Sequence, residues 1–349
     1  MNLRKGVNLG MWLAQFPQKG DKHFRTYIQK SDFEAIADLG FDHVRVPFDH
    51  VLLEDGKKNP VLSKNKGLYY LDFAVDNAQR VGLKVILDLH KGPGFSFDQL
   101  ADNNLFDSSD CQEQFVSVWE TLAERYQAEG DSLIFELLNE VVEGNSERWN
   151  HLARRTVEAI RRYGGNRPII VGSNQYASVE ELSTVWVSDD PLVWYTFHFY
   201  EPLLVTHPKA HWNELTSAYD RGVPYPGSAI GIDEFLKTNP KFGPLHDSEY
   251  WNNDQPQILD RAFLEKKIVK AKQFKEKSGK TALCGEFGVY YQCDDCSSLR
   301  WVSDVLNIFE SENIPWTWWN WKSDDFGIYT TSGAERVKGL VELLTKNMS

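Results

Sequence analysis

The sequence predicts an α/β fold, a (β/α)8 barrel of the TIM type, and three observations predict it. Eight short apolar runs recur along the chain, and the segments between them space their apolar residues as helices do. The runs are rich in β-branched residues and lack polar alternation, so both faces of each strand are covered, as in a parallel sheet. Six of the eight deliver polar or aromatic groups to their carboxyl ends, the rim at which such barrels build their sites.

The first run is Gly6-Val7-Asn8-Leu9-Gly10. A helix follows, opened by Ser31-Asp32-Phe33-Glu34 read as a capping box, with Phe33, Ile36 and Ala37 on one face and Gly40 as its stop. The second run, His43-Val44-Arg45-Val46-Pro47, brings Arg45 to the rim. Leu68, Leu71, Val75 and Ala78 keep helical spacing up to Gly82, and the third run then ends on Asp88-Leu89-His90. Phe115, Val118, Trp119, Leu122 and Tyr126 form a broad helical stripe, the kind that packs on a sheet as core. The fourth run, from Leu133, ends on Asn139-Glu140, and the fifth is Pro168-Ile169-Ile170-Val171-Gly172. The sixth, from Val193, ends on His198-Phe199-Tyr200. The seventh, from Thr281, ends on Glu286, and the eighth, from Ile314, carries Trp318-Trp319-Asn320-Trp321-Lys322.

One interval breaks this rhythm. Between the sixth and seventh runs the chain is about twice as long as elsewhere, and a structureless loop of that length is not expected in a compact domain. The extra segment, roughly Leu204 to Asp260, contains Thr206-His207-Pro208-Lys209-Ala210-His211-Trp212 and is rich in Pro, Tyr, Trp, Asn and Asp. It reads as a small subdomain inserted on the sixth βα loop of one catalytic domain spanning 1–349, where it shapes the substrate cleft.

Composition narrows the function classes. The chain is 42% hydrophobic and 13% aromatic, ample for a large core. Its 12 Trp and 14 Tyr also supply flat faces on which sugar rings stack. With 38 basic and 50 acidic residues the formal charge is -12, which argues against a nucleic-acid partner. No apolar run approaches the roughly 18 residues of a membrane span. The start Met1-Asn2-Leu3-Arg4-Lys5 carries no apolar leader region, so a cytoplasmic location is expected of the sequence as it stands, and secretion if a leader was removed. A monomer is expected. Four Cys make no disulfide framework. Cys293-Asp294-Asp295-Cys296 invites a metal, but Cys284 and Cys111 are poorly spaced to complete a zinc site, so no metal is expected. A pair of reduced thiols in a loop is the reading, with a short-range disulfide open.

At the rim, Glu140 and Glu286 are two carboxylates at strand ends, the machinery for glycosidic bond cleavage when they converge on one pocket. Arg45, His90 and His198 each have an ordinary structural explanation alone. Their joint placement does not, because buried charge must be paired or functional. Glu136 reads as a structural strand carboxylate, and Asp88 as a partner for a base inside the barrel. Glu143, Glu201 and Asp325 stand open between cleft residues and solvated loop charges. Lys91-Gly92-Pro93-Gly94 is a turn, not a nucleotide site.

The motifs Gly6-Val7-Asn8-Leu9-Gly10, Val44-Arg45-Val46-Pro47, Asp88-Leu89-His90, Leu138-Asn139-Glu140, His198-Phe199-Tyr200, Gly285-Glu286-Phe287-Gly288 and Trp319-Asn320-Trp321-Lys322 resemble glycoside hydrolase family 5, a clan of retaining β-glycanases. The stretch around Asn139-Glu140 and the insertion after Tyr200 look like its endo-β-1,4-glucanase branch. The resemblance implies Glu140 as general acid/base and Glu286 as nucleophile, with no cofactor. It implies Arg45 and Tyr200 as partners of Glu286, Asn139 as the ligand of the sugar 2-hydroxyl, and His90 and His198 as hydroxyl binders that support the acid/base. Trp319 becomes the sugar platform, ahead of its neighbours Trp316, Trp318 and Trp321. The implied substrate is a β-glucan or cello-oligosaccharide. A β-mannanase, a mixed-linkage glucanase or an exo-acting β-glucosidase would use the same machinery. Outside that class stand a sugar-binding barrel without catalysis and a metal-dependent hydrolase, for which His90 and His198 lack an evident third ligand.

Overall fold

The computed structural model describes residues 2–16, 21–54, 64–245, 250–252 and 255–346. Eight strands close into a barrel: β1 (Lys5–Asn8), β2 (His43–Asp49), β3 (Lys84–Lys91), β4 (Leu133–Glu136), β5 (Ile169–Gly172), β6 (Val193–Phe199), β7 (Ala282–Phe287) and β8 (Trp316–Trp318). Every neighbouring pair is parallel, and β1 seals the barrel by pairing with both β2 and β8. All eight predicted runs thus become strands of one closed sheet.

Two local readings need correction. β4 stops at Glu136, so Glu140 stands four residues beyond the strand instead of at its last position. The chain stays pinned there: Leu137 N–H reaches the Ile170 carbonyl and Asn139 N–H the Leu89 carbonyl, each at 3.0 Å. The helix Lys30–Asp38 begins two positions earlier than the capping-box reading placed it. Gln29 is its cap, and Asp32 reaches back to accept from the Gln29 N–H at 2.8 Å.

The other long helices run Lys64–Arg80, Ser109–Arg125, Ser146–Arg161, Arg261–Ser278 and Asp295–Glu312. Ser108, Asn145, Asp260 and Asp294 cap the last four with side-chain oxygens. The stripe Phe115, Trp119, Leu122 and Tyr126 is buried, as are Leu71, Val75 and Ala78, in one core between sheet and helices. A separate apolar cluster of Leu3, Ile86, Ile134, Ile170 and Leu283 lies at the amino-terminal end of the strands. Two residues further on, Asp88 and Glu136 stand opposite each other in register, both fully buried. An apolar plug therefore supports a charged layer, and the rim lies above that layer.

Between β6 and the helix Arg261–Ser278 the described chain forms short helices, Leu203–Thr206, Glu214–Tyr219 and Ile232–Thr238, and an antiparallel pairing of Trp251–Asn252 with Gln255–Pro256. Tyr219, Tyr225, Ile232, Leu236 and Leu259 join the main core. Tyr225 ties this segment to the helix Asp295–Glu312, its N–H bonded to Ser297 Oγ and its hydroxyl to Asp304, both at 2.9 Å. The four cysteines are free thiols. Cys296 lies in the first turn of that helix and not in a loop, with Cys293 just ahead of its cap Asp294. Among the described residues no helix is long and apolar enough to cross a membrane.

Candidate active site

Arg45 on β2 organises the rim. It is fully buried, and its five N–H groups are all engaged. Nε and Nη2 hold the two oxygens of Glu136 at 2.8 Å each. Nη1 reaches Glu286 Oε1 at 2.7 Å and Asn8 Oδ1 at 3.0 Å, and Nη2 also reaches Asn139 Oδ1 at 2.8 Å. Burial opposes the charge on Arg45, but Asp88, Glu136 and Glu286 outweigh it and raise its pKa. Glu136 is thus a structural counterion, as its place on the strand suggested. Replacing Arg45 by Met keeps the volume and strands these carboxylates. We expect a loss of about 3–5 kcal/mol in unfolding free energy. Denaturant unfolding checks this, and a change under about 1 kcal/mol would contradict the counterion role.

Glu286, the next-to-last residue of β7, sits in a tight setting. Its Oε2 accepts from the Tyr200 hydroxyl at 2.9 Å, and Tyr200 keeps its proton because burial and the two glutamates raise its pKa. Burial pushes Glu286 up from the ordinary carboxylate range, and Arg45 pulls it back. The residue before it must be small: a Cβ on Gly285 would sit 2.6 Å from Thr196 Oγ1 and 3.3 Å from the His198 ring.

Glu140 differs. No arginine hydrogen-bonds it, and burial pushes its pKa up to about 8 despite Arg45. Its Oε1 lies 2.9 Å from His198 Nδ1, which is also 3.6 Å from Glu286 Oε2. Burial lowers His198 to about 4, so a neutral ring separates the two carboxyls. Oxygens of Glu140 and Glu286 and a His198 nitrogen all lie within 4.8 Å of one another. The same trio has donor types suited to a divalent cation, but Glu286 already has a positive partner in the Arg45 guanidinium at 2.7 Å.

Asn139 gives its Oδ1 to Arg45, which leaves its Nδ2 buried without a partner and free to donate. His90 does not touch Glu140. Its Nδ1 meets Asp88 Oδ2 at 2.7 Å and its ring lies parallel to Trp319, 5.6 Å between centroids. Trp316 and Trp318 point into the layer beneath the helices, and Trp321 packs there too with its N–H on Asp32. Only Trp319 of the four lines the cleft.

That cleft, about 570 Å³, brings together Glu140, Glu286, Asn139, His90, Tyr200 and Trp319. Arg45 and His198 lie beneath its floor, bonded to the two glutamates. A hollow of about 640 Å³ on the outer surface, against the helix Arg261–Ser278, is larger but has no histidine and only Glu180 as a carboxylate. The chemistry therefore sits in the smaller one. Asp325 proves to be a cleft residue. Glu201 accepts from the Tyr200 N–H, and Glu143 pairs with Arg148, so both are structural.

The segment between β6 and the helix Arg261–Ser278 supplies one wall through His207, His211 and Trp212. Trp212 is 51% exposed and held edge-on against Tyr290 at 4.8 Å. The single hydroxyl proton of Thr206 goes to the Tyr200 carbonyl, so His207 Nδ1–H must donate to Thr206 Oγ1 at 2.9 Å. The sequence expectation gave the segment that holds this stretch a part in shaping the cleft, without singling out these side chains. Asn8, at the end of β1, and Asn320 stood in quoted motifs without a role, and Gln15 was not singled out.

Three comparisons with known proteins bear on the family and the fold. Residues 10–325 match the cellulase model of glycosyl hydrolase family 5. Endoglucanase C of Acetivibrio thermocellus is 39% identical over 99% of both chains. Cellodextrinase A of Ruminococcus flavefaciens is 31% identical over 89% of this chain and 83% of its own. The fold matches that of Thermotoga maritima Cel5A in complexes with mannotriose and with cellobiose. TM-scores are 0.74, identities 23% and 24%, and coverage is 98% of this chain and 97% of the other.

Proposed function

The chain belongs to the cellulase family, glycosyl hydrolase family 5, and is a glycoside hydrolase, and from that premise we propose a retaining endo-β-1,4-glucanase acting on soluble β-glucans or cello-oligosaccharides. The observation that supports the mechanism is that one oxygen of Glu140 and one of Glu286 lie within 4.8 Å of each other. Retention needs carboxyls roughly 5–5.5 Å apart, whereas inversion needs room for a water between them. Glu140 protonates the leaving oxygen and later takes a proton from water. Glu286, held by Arg45 and Tyr200, attacks the anomeric carbon to give a covalent glycosyl–enzyme. The unpartnered Asn139 Nδ2 donates to the sugar 2-hydroxyl, a contact that strengthens in the transition state. Trp319 lies under the sugar before the cut.

The glucan preference is supported by the endoglucanase and cellodextrinase relatives. The wall built by His207, His211 and Trp212 favours short or soluble chains over an extended crystalline surface. The mannotriose complex of the Thermotoga enzyme keeps mannan as the runner-up.

Reducing-end release from carboxymethyl-cellulose tests the substrate, and proton NMR of the first product tests the stereochemistry. Release with the β-anomer formed first is expected, and chelator should not change the rate. Release of the α-anomer first would overturn retention. Release from mannan alone would move the substrate, and binding without release would leave only a sugar-binding barrel.

A further inference from the structure

We propose that Asp88 is held as a carboxylic acid that donates its proton to His90 Nδ1, so that His90 presents Nε2–H to the cleft as a hydrogen-bond donor. That the acceptor is a sugar hydroxyl rests on the glucanase reading; the protonation state does not.

The argument begins with the count of donors. Four carboxyl groups, Asp88, Glu136, Glu140 and Glu286, surround one guanidinium. Arg45 spends all five N–H groups on Glu136, Glu286, Asn8 and Asn139. Its Nη2 lies 3.1 Å from Asp88 Oδ2, but no N–H remains to be directed there. Asp88 is fully buried, and its Oδ1 has no partner at all. An ionised carboxylate in this place would have one donor, His90, for two oxygens, and burying such a charge is costly. As an acid, Asp88 uses Oδ2–H to bond His90 Nδ1 at 2.7 Å, and Oδ1 becomes an ordinary carbonyl.

The far side of the ring agrees. His90 Nε2 faces Gln15 Oε1 at 3.3 Å. Nε2–H donates to that oxygen, whereas the other tautomer sets two lone pairs face to face. The contact is long, and an incoming hydroxyl can take it over. Gln15 is positioned for this by its backbone N–H on Asp49 Oδ2 and a left-handed φ of 50°.

The charged groups around the pair support the same state. Burial pushes Asp88 up to about 7, with Arg45 pulling it down and Glu140 pushing it further up. Burial lowers His90 to about 3 against the pull of Glu286, with Arg45 and Lys91 opposing its charge and Asp98 favouring it. A neutral acid beside a neutral imidazole also lowers the net charge packed around Arg45.

The test uses the full-length protein labelled with 15N-histidine, at about pH 6, below the about 7 of Asp88. Long-range 1H–15N correlation reads the tautomer of His90, assigned by its loss in His90→Gln. The Nε2–H tautomer is expected, and an Nδ1–H or doubly protonated ring overturns the proposal. In Asp88→Ala the ring loses its fixed tautomer, and kcat/KM on cello-oligosaccharides falls roughly tenfold, mainly through KM, the scale of one hydrogen bond. Asp88→Asn, whose amide N–H makes the same donation, recovers most of that loss. An Asp88→Ala protein with the wild-type tautomer and KM also overturns it. If the wild type cleaves no glucan, the spectrum still decides the proton while the glucanase reading fails.

Discussion

Replacing Glu286 by alanine is expected to lower kcat on cello-oligosaccharides by roughly 10⁴-fold or more, the scale of removing a covalent nucleophile. Binding should survive. Asn139, His90, Tyr200 and Trp319 all remain on the cleft, and Arg45 still holds Glu136 and Asn139. Calorimetry on cellotetraose should return a Kd within a few-fold of that of a catalytically silent reference such as the wild type with a non-hydrolysable thio-oligosaccharide. The vacated space beside Arg45 and Tyr200 opens onto the face from which the carboxylate attacked. Added azide should therefore restore turnover of an activated glycoside and give the α-configured glycosyl azide. Wild-type turnover in the variant, or rescue giving only the β-azide, would move the nucleophile elsewhere.

The residues of this site were legible in sequence to different degrees, and the reasons are physical. A buried parallel strand needs an unbroken apolar run, so each of the eight announced itself, and the polar residue that ends such a run has only the rim to go to. Glu286 was visible for that reason, whereas Arg45 stands in the middle of β2 and was marked only by its charge inside an apolar run. Glu140 was visible too, but four residues past the end of β4. The apolar pair Leu137 and Leu138 continues the pattern of the strand after its pairing has ended, because both are buried for packing. Gln29 gave no sign as a helix cap, since Ser31 and Glu34 matched the familiar pattern better. Asn8, Gln15 and Asn320 act through distances set by the closure of the barrel. Local periodicity carries no information on those distances. The roles within the Trp316–Trp321 cluster followed from strand alternation only once the register with β7 was known.

The proton positions were least legible of all. Asp88, Glu136, Glu140 and Glu286 are four identical-looking acids at four strand ends. What separates them is the supply of donors. Glu136 takes two N–H groups of Arg45, Glu286 takes one and a tyrosine hydroxyl, and Asp88 and Glu140 take none of the guanidinium. Two well-supplied groups are the natural anions, and two poorly supplied ones the natural acids. That division supports the proposed roles of Glu286 and Glu140 without reference to any relative.

It also sets the second large effect. Glu140, pushed up to about 8, holds its proton through neutral pH and loses it as pH rises through that value. Glu286 must be ionised, so activity rises as pH climbs past its own ionisation and then falls as Glu140 ionises. The wild-type profile of kcat/KM should therefore show a basic limb near 8. Glu140→Ala is expected to lower kcat/KM on cellotetraose by roughly 10²- to 10⁴-fold, the usual weight of general acid catalysis. On an aryl glycoside with a good leaving group the first step needs no acid, so the loss there should be much smaller. With that substrate the basic limb should vanish, and azide should give the β-configured product, because the second displacement comes from the face Glu140 occupied. Equal losses on both substrates would show that Glu140 does not protonate the leaving group. A basic limb that persisted near 7 in Glu140→Ala would point instead to Asp88, the other acid of this cluster, and the double variant with Asp88→Asn would then remove it.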